Sequence, residues 1–248
     1  MVLKATYQEK AIENHQRTIV VGDLHGCYDE LTDLLAMLNF GLRDRVVAVG
    51  DLIVKGPKNR QVLDLFISDR RFTSVLGNHD RALLQLWRRE KNKFTRAQKA
   101  AARELEFARD KYESYLSSLP VQIDLGSHLV VHAGLRPGVP PEEQDVDDLL
   151  ELRTLGRKKR TSRKGVPWYQ VYDGEKIVLF GHWPAPQPRR ATRAIGLDTG
   201  CVYGRRLTAY IIESGEFVSV PARAAYAKRS RRLYKSAYEF LVRLFKGR

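Results

Sequence analysis

Cysteine is nearly absent: Cys27 and Cys201 are the only two among 248 residues, far apart and outside any CxxC pair. That excludes a disulfide-stapled scaffold and a thiolate zinc knuckle, and it fits a reducing cytoplasm. No run approaches the ~20 apolar residues that span a bilayer. The first twenty residues are broken up by Lys4, Glu9, Lys10, Glu13 and Arg17, which does not read as a secretory signal. Proline is sparse, 10 residues beside 18 glycines, and 43% of the chain is hydrophobic, so neither disorder nor a collagen-like repeat is expected. The expectation is a packed, soluble, cytoplasmic protein of one large domain or two small ones.

What is plentiful is positive charge, with 43 Lys and Arg against 29 Asp and Glu for a net +14. A surplus of this kind suits polyanionic partners such as nucleic acid, nucleotides or a membrane surface, or serves solubility alone. Its distribution says more. Arg153 to Lys164 holds seven bases and no acid, and from Pro221 onward nine bases face only Glu239. Those two stretches carry +15, so the remainder sums to −1: a near-neutral body with two basic attachments.

Short β-branched runs alternate with helical patterns, as in βα units around a mixed or parallel sheet. TIVVG (18–22) reads as a strand, followed by a helix over 28–40 with Leu31, Leu34, Leu35 and Leu38 on one face. The unit recurs as RVVAVG (45–50) with a helix over 58–68, and as a strand over 73–76 with a helix from about Asp80. A polar helical stretch, 94–116, reads as an insertion or a cap over the sheet. Strand signals return at 129–132, 177–180, 194–197 and 207–213, and Ser214-Gly215 reads as a hairpin turn into 217–220. Residues 1–17 form a polar leader. Residues 222–245 permit an amphipathic helix, with Tyr234, Tyr238, Leu241 and Phe245 at three- and four-residue steps.

Five of the strands end in glycine-anchored polar clusters: GDLHG (22–26), GD (50–51), GNHD (77–80), HAG (132–134) and GH (181–182). Ligands bind outside the carboxyl ends of strands in open α/β sheets, so these clusters describe one site. Their aspartates, asparagine and histidines suit Mn²⁺, Fe, Co or Zn²⁺ and are poor for Ca²⁺. The ligands are too many for one ion. Asp23 and His25 suit a first, Asn78, His132 and His182 a second, and Asp51 a bridge between them. Two such ions activate water and clamp an in-line displacement at phosphorus. His15 and His128 have no such context and receive no role.

The ordered set GDLHG, GDLIVKGP, GNHD, HAG and GH resembles the calcineurin-like binuclear metallophosphoesterases of the phosphoprotein-phosphatase superfamily. GDLHGC, VVHAGL and GLDTGCVYG are most similar to its symmetrical diadenosine tetraphosphate hydrolases and their relatives. The resemblance covers about residues 18–220. It implies an α/β (α+β) fold: a β-sandwich of mixed sheets flanked by helices, with a helical insertion at about 94–117. It further implies two divalent ions, most simply Mn²⁺, held by Asp23, His25, Asp51, Asn78, His132 and His182. In the same way His79 matches a general acid, with Asp80 beside it in the catalytic set. Arg153 matches a phosphoryl-gripping arginine, with Asn78 also near phosphate, and Asp198 is placed to orient a histidine ligand.

One departure matters. Where protein phosphatases carry VDRG after the second aspartate, this chain has Ile53-Val54-Lys55-Gly56. A carboxylate that would support His79 is missing, and Lys55 stands where an arginine would bind phosphate, as a point charge without a fork. A weaker proton donor suits a leaving group that is already a weak base, which favours a P–O–P bridge over a phosphoserine. The expected function is hydrolysis of dinucleoside polyphosphates or of nucleotide and RNA 5′ ends. The rivals are a Ser/Thr or Tyr protein phosphatase and an RNA- or nucleotide-binding protein on the same scaffold. RKKRTSRK (157–164) is either a basic rim that attracts polyphosphate or RNA, or a solvated loop. The C-terminal tail either docks on the body, binds RNA, or lies on anionic lipid.

Overall fold

A computed structural model of the chain describes Tyr7–Gln8 and residues 17–156 and 159–228. The β-branched runs are its central strands because they are buried on both sides. β2 (Arg17–Val21), β3 (Asp44–Ala48) and β4 (Phe72–Ser74) lie parallel. β12 (Arg206–Ile211) and β13 (Phe217–Pro221) continue the sheet antiparallel, in the order β13-β12-β2-β3-β4. The second sheet runs β1 (Tyr7–Gln8), β5 (Gln122–Asp124), β6 (His128–Val131), β9 (Ile177–Phe180), β11 (Ala194–Gly196), β10 (Arg189–Ala191), with β6, β9 and β11 parallel. A small ribbon pairs β7 (Thr154–Leu155) with β8 (Val166–Pro167).

The sheets face each other across one apolar layer. Val20, Val47, Val49 and Val75 of the first meet Ile123, Val130, Leu179 and Leu197 of the second, all without solvent exposure. Outside the first sheet lie α1 (Tyr28–Met37), α2 (Asn59–Ser68) and α3 (Asn78–Trp87), whose leucine stripes join its outer face in the largest core cluster. Outside the second lie α6 (Val146–Glu151) and the short α7 (Trp168–Val171), with Leu149 and the fully buried Trp168 in the core there.

The helical insertion is α4 (Arg96–Leu105) and α5 (Arg109–Ser118). It packs on α2 and α3 rather than over a sheet. Thr95 and Gln98 form the capping box that starts α4, which satisfies donors the helix cannot bond itself. Ala101, Ala102, Leu105, Tyr112 and Leu116 carry the insertion into the core. Truncating a buried leucine there, such as Leu105→Ala, should cost about 2–5 kcal/mol.

The polar leader is not all outside the fold, since Tyr7 and Gln8 pair in parallel with Ile123 and Asp124 at the edge of the second sheet. The expected helix over 222–245 is corrected at its start: Ala222–Lys228 is irregular and docks on the body. Ala222 N–H donates to Arg205 O, Ala227 N–H donates to Val202 O, and Ala225 bridges Tyr203. The rest of that expected helix lies outside the described residues. Among the described residues no helix is long and apolar enough to cross a membrane.

Candidate metal centre

The carboxyl ends of β2, β3 and β4 and of β6, β9 and β11 open on one side of the sandwich, and the glycine-anchored clusters meet there. His25 N–H donates to Asp51 O at 2.7 Å and Gly26 N–H to Leu52 O at 2.9 Å, which ties the loops after β2 and β3 together. Gly77 is required by close approach: a Cβ there would stand 2.1 Å from the Asp51 nitrogen. Seven non-glycine residues among those described have a positive φ, and five of them, His25, Asp51, Val54, Lys55 and His182, belong to these loops. Left-handed backbone in non-glycine residues is costly and persists where surrounding structure enforces it, often at functional sites.

A pocket of about 180 Å³ is lined by Asp23, His25, Asp51, Lys55, Asn78, His79, Arg153, His182 and Asp198 among others. His132 lies directly behind, fully buried, with Nε2 2.9 Å from Asn78 Oδ1 and 3.5 Å from Asp51 Oδ1. His25 Nε2 stands 3.4 Å from Asp51 Oδ2 and 3.8 Å from Asp23 Oδ2. Donor atoms of Asp23, Asp51 and His132 lie within 4.8 Å of one another, and so do those of His25, Asp51 and His79. Asp51 is common to both groups. Asn78 Oδ1 is also 3.0 Å from His182 Nδ1. All six expected ligands are therefore gathered in one cluster, buried except for the half-buried Asn78.

The donor set fits divalent cations on three counts. His132 Nδ1 faces Val49 O at 2.8 Å and His25 Nδ1 faces Ile53 O at 3.2 Å. A carbonyl oxygen only accepts, so each Nδ1 carries the proton and each Nε2 presents its lone pair to the cluster. Burial drives the histidines toward the neutral, ligating form: His132 falls to about 4, and His25 and His182 fall well below the usual histidine value. Burial also raises Asp51 to about 6, and it raises Asp23 well above the usual aspartate value, helped by the charges of Asp198 and Asp51. A cation offsets that crowding. One is already at hand, because Lys55 Nζ lies 2.8 Å from His25 Nε2. His182 Nε2 is buried without a hydrogen-bond partner.

Lys55 thus points at an expected ligand as well as lining the pocket. Arg153, beside it, donates through Nη1 to Thr161 O and through Nη2 to His182 O, both at 3.2 Å, while its buried Nε has no hydrogen-bond acceptor among the described residues. Burial lowers it only to about 10, so it stays charged at neutral pH. Arg163, Pro184 and Tyr203 complete the lining and were not singled out by the sequence. Arg163 had a signal in its basic run. That run is no simple overhang, since Arg160 is anchored on Asp148 and Asp145 at 2.6 Å each.

His79 lines the pocket with its ring edge-on to His25, centroids 5.1 Å apart, and its backbone N–H donates to Asp51 Oδ1 at 2.8 Å. Its Nδ1 is buried with no hydrogen-bond partner, as expected where the supporting carboxylate of VDRG is missing. One expected catalytic residue is set apart from the pocket. Asp80 is fully buried beneath the site, and its oxygens accept the N–H groups of Gly77, Leu52 and Ile53. It positions the loops and does not face reacting atoms. Asp198 lines the pocket, its Oδ1 accepts Gly200 N–H at 3.0 Å, and the Nδ1 atoms of His25 and His132 face backbone carbonyls.

Paired carboxylate and imidazole donors at the strand ends of a two-sheet sandwich, rimmed by lysine and arginine, define a metal-dependent phosphohydrolase. The chain belongs to the calcineurin-like phosphoesterase family, whose model matches residues 16–213. It is 30% identical over 237 residues to the asymmetrical bis(5′-nucleosyl)-tetraphosphatase PrpE of Bacillus subtilis, covering 84% of this chain and 95% of that one. It is 29% identical to the symmetrical bis(5′-nucleosyl)-tetraphosphatase of Vibrio parahaemolyticus, covering 77% and 93%. Among solved structures, one described as "a putative diadenosine tetraphosphatase" superposes with a TM-score of 0.71 at 34% identity, covering 90% of this chain and 99% of the other. A Saccharomyces cerevisiae serine/threonine phosphatase superposes at 0.58 with 15% identity, a likeness of fold alone.

Proposed function

We propose that the chain hydrolyses phosphoanhydride bonds of dinucleoside polyphosphates at a two-ion centre. The observation that carries this reading is the position of Asp51 in a cationic pocket, with Oδ2 3.4 Å from His25 Nε2 and Oδ1 3.5 Å from His132 Nε2. Asp23, His25 and Asp51 would hold one ion, and Asp51, Asn78, His132 and His182 the other. Divalent ions there, most simply Mn²⁺, would lower the pKa of a water and offset phosphoryl charge. The relatives named as bis(5′-nucleosyl)-tetraphosphatases support the substrate class, and they include both asymmetrical and symmetrical enzymes.

The chain's own residues divide the remaining work. Arg153, charged and lining the pocket, supplies guanidinium charge for a phosphoryl group, and Lys55 and Arg163 add positive charge to the same pocket. His79 is the nearest group able to give a proton to the leaving oxygen. Its Nδ1 has no carboxylate to stabilise an imidazolium, and burial followed by the charge of Lys55 holds it well below the usual histidine value. It is therefore a poor match for an alkoxide, which needs the proton. A nucleotide phosphate does not. Water attacks the phosphorus, the bond to the bridging oxygen breaks, and two phosphate-terminated products leave.

The Mn²⁺-loaded protein should be offered diadenosine tetraphosphate, a capped RNA and a phosphopeptide, with product identification. Rapid turnover of the dinucleotide is expected, and its product pair gives the cleavage symmetry. Turnover of the phosphopeptide alone would reject the reading, and preference for the RNA would move the substrate to nucleic-acid 5′ ends. Undiminished activity in Asp51→Asn would reject the site.

A further inference from the structure

Beside the metal pocket lies a larger cavity of about 710 Å³. It shares Lys55, His79 and Tyr203 with the smaller pocket, so the two adjoin. One wall is the start of the helical insertion, with Arg96, Ala97 and Ala100. The facing wall is the segment docked after β13, with Tyr226, Ala227 and Lys228. Neither wall belongs to the loops that gather the metal donors.

We infer that this cavity is a nucleoside subsite, which seats the base and sugar of the substrate while its scissile phosphate lies in the metal pocket. The inference rests on the phosphoanhydride reading above and gives that reading its source of discrimination. Its volume falls within the ~300–1,000 Å³ of ordinary small-molecule sites. The metal pocket, at about 180 Å³, falls below that range. The chemistry of the walls differs in the same sense. Tyrosine rings beside small alanines suit a flat base, because aromatic stacking accepts any base. Arg96 and Lys228 are the charges available to phosphates that run between the two pockets, and no acid lines the cavity among the described residues.

Both tyrosines are held in place. Tyr226 Oη donates to Glu30 Oε1 at 2.8 Å, and Tyr203 is fixed by its bridge to Ala225, with Lys55 Nζ 5.6 Å from its ring centre. Lys55 therefore stands at the junction, between the reacting centre and the stacking wall. A rigid aromatic surface loses little freedom when a ligand binds.

Two exposed helix positions allow a test without disturbing the metal donors. Ala100→Trp places a large side chain in the cavity, and Arg96→Glu reverses a charge in the first turn of α4, where an acid is compatible with the helix. In the Mn²⁺-loaded full chain, each should raise KM for diadenosine tetraphosphate by roughly ten-fold, the scale of one lost stacking or charge contact. Neither should change kcat/KM for para-nitrophenyl phosphate, which needs only the metal pocket. Unchanged KM for the dinucleotide in both folded variants, or equal loss on both substrates, would overturn the assignment. If the wild type turns over no dinucleoside polyphosphate at all, the functional reading falls separately. The cavity is then decided by fluorescence of methylanthraniloyl-AMP with the metal-free protein. Binding weakened by Ala100→Trp upholds a nucleoside site; no binding, or binding indifferent to that change, overturns it.

Discussion

The Lys55 ammonium sits as a cation beside His25, with Nζ 2.8 Å from the ring Nε2. That nitrogen carries the lone pair, since Nδ1 faces the Ile53 carbonyl, so lysine and a metal ion compete for one atom. Lys55→Met should tighten Mn²⁺ binding in isothermal titration and weaken inhibition by inorganic phosphate. Mn²⁺ binding that is unchanged or weaker would show that the lysine is no competitor. The two effects pull opposite ways on turnover, which makes the binding measurement the decisive one.

Gly77→Ala tests the loop geometry. The added methyl would collide with the Asp51 nitrogen at 2.1 Å, and backbone on both sides cannot yield cheaply. Overpacking of this kind costs about 1–3 kcal/mol or more. The variant should fold with a lowered melting temperature and lose high-affinity metal binding. Wild-type Mn²⁺ stoichiometry in the folded variant would contradict the tight approach of the two loops.

The start of the first sheet is clamped away from the site. Asp44 is buried and accepts from Arg17 Nε at 3.0 Å and from Gly41 N–H at 2.8 Å. The Arg17 hydrogen bond, foremost, holds its carboxyl below the usual aspartate value of 3.8. A depressed carboxyl adds stability that is present above the unfolded pKa and is lost as pH falls through the folded one. Asp44→Asn should therefore cost about 1.5–3 kcal/mol at pH 7, on the scale of hydrogen bonds to a charged group. The gap between wild type and variant in urea melts should close below about pH 3.8. A gap independent of pH would show that packing, not charge, is what the variant loses.

Truncation at two points sets the boundary of the folded body. A chain ended after Lys228 serves as the reference for the segment docked after β13. Ending it after Pro221 removes the bonds from Arg223 N–H and Tyr226 Oη to Glu30 Oε1. Glu30 is 1% exposed and would be left with unpaired oxygens, at a cost of about 1–3 kcal/mol for the buried group. A lower melting temperature is expected in the shorter chain only. Equal melting of the two would place the body's boundary at Pro221 after all.

The central strands and the ligand loops were legible in the sequence because each carries its own local signal. TIVV, RVVA and IVLF are apolar on both faces, and the polar clusters follow their carboxyl ends directly. Elements whose signal lies in a partner were not legible. β10 reads Arg-Arg-Ala and is a strand only through its pairing with β11. The six-residue α6 is too short to show a period, and its acidic residues serve the arginines: Asp148 accepts from both Arg136 and Arg160. The same limit explains the site. Asp80 sits beside a recognisable motif, yet its oxygens are committed to backbone N–H groups that no side-chain pattern reveals. Tyr226 meets Glu30 across 196 residues of chain, and nothing local to either announces it.

The left-handed backbone at His25, Asp51 and His182 bears on how the centre would meet its ions. Three of the six proposed ligands hold an uncommon conformation, and hydrogen bonds such as that from His25 N–H to Asp51 O tie their loops together. Those bonds run directly between loops, so the spacing of the cradle is set by the chain's own backbone. Selectivity among ions would come from the fixed spacing of the donors, because the loops are not free to shrink or widen around each one.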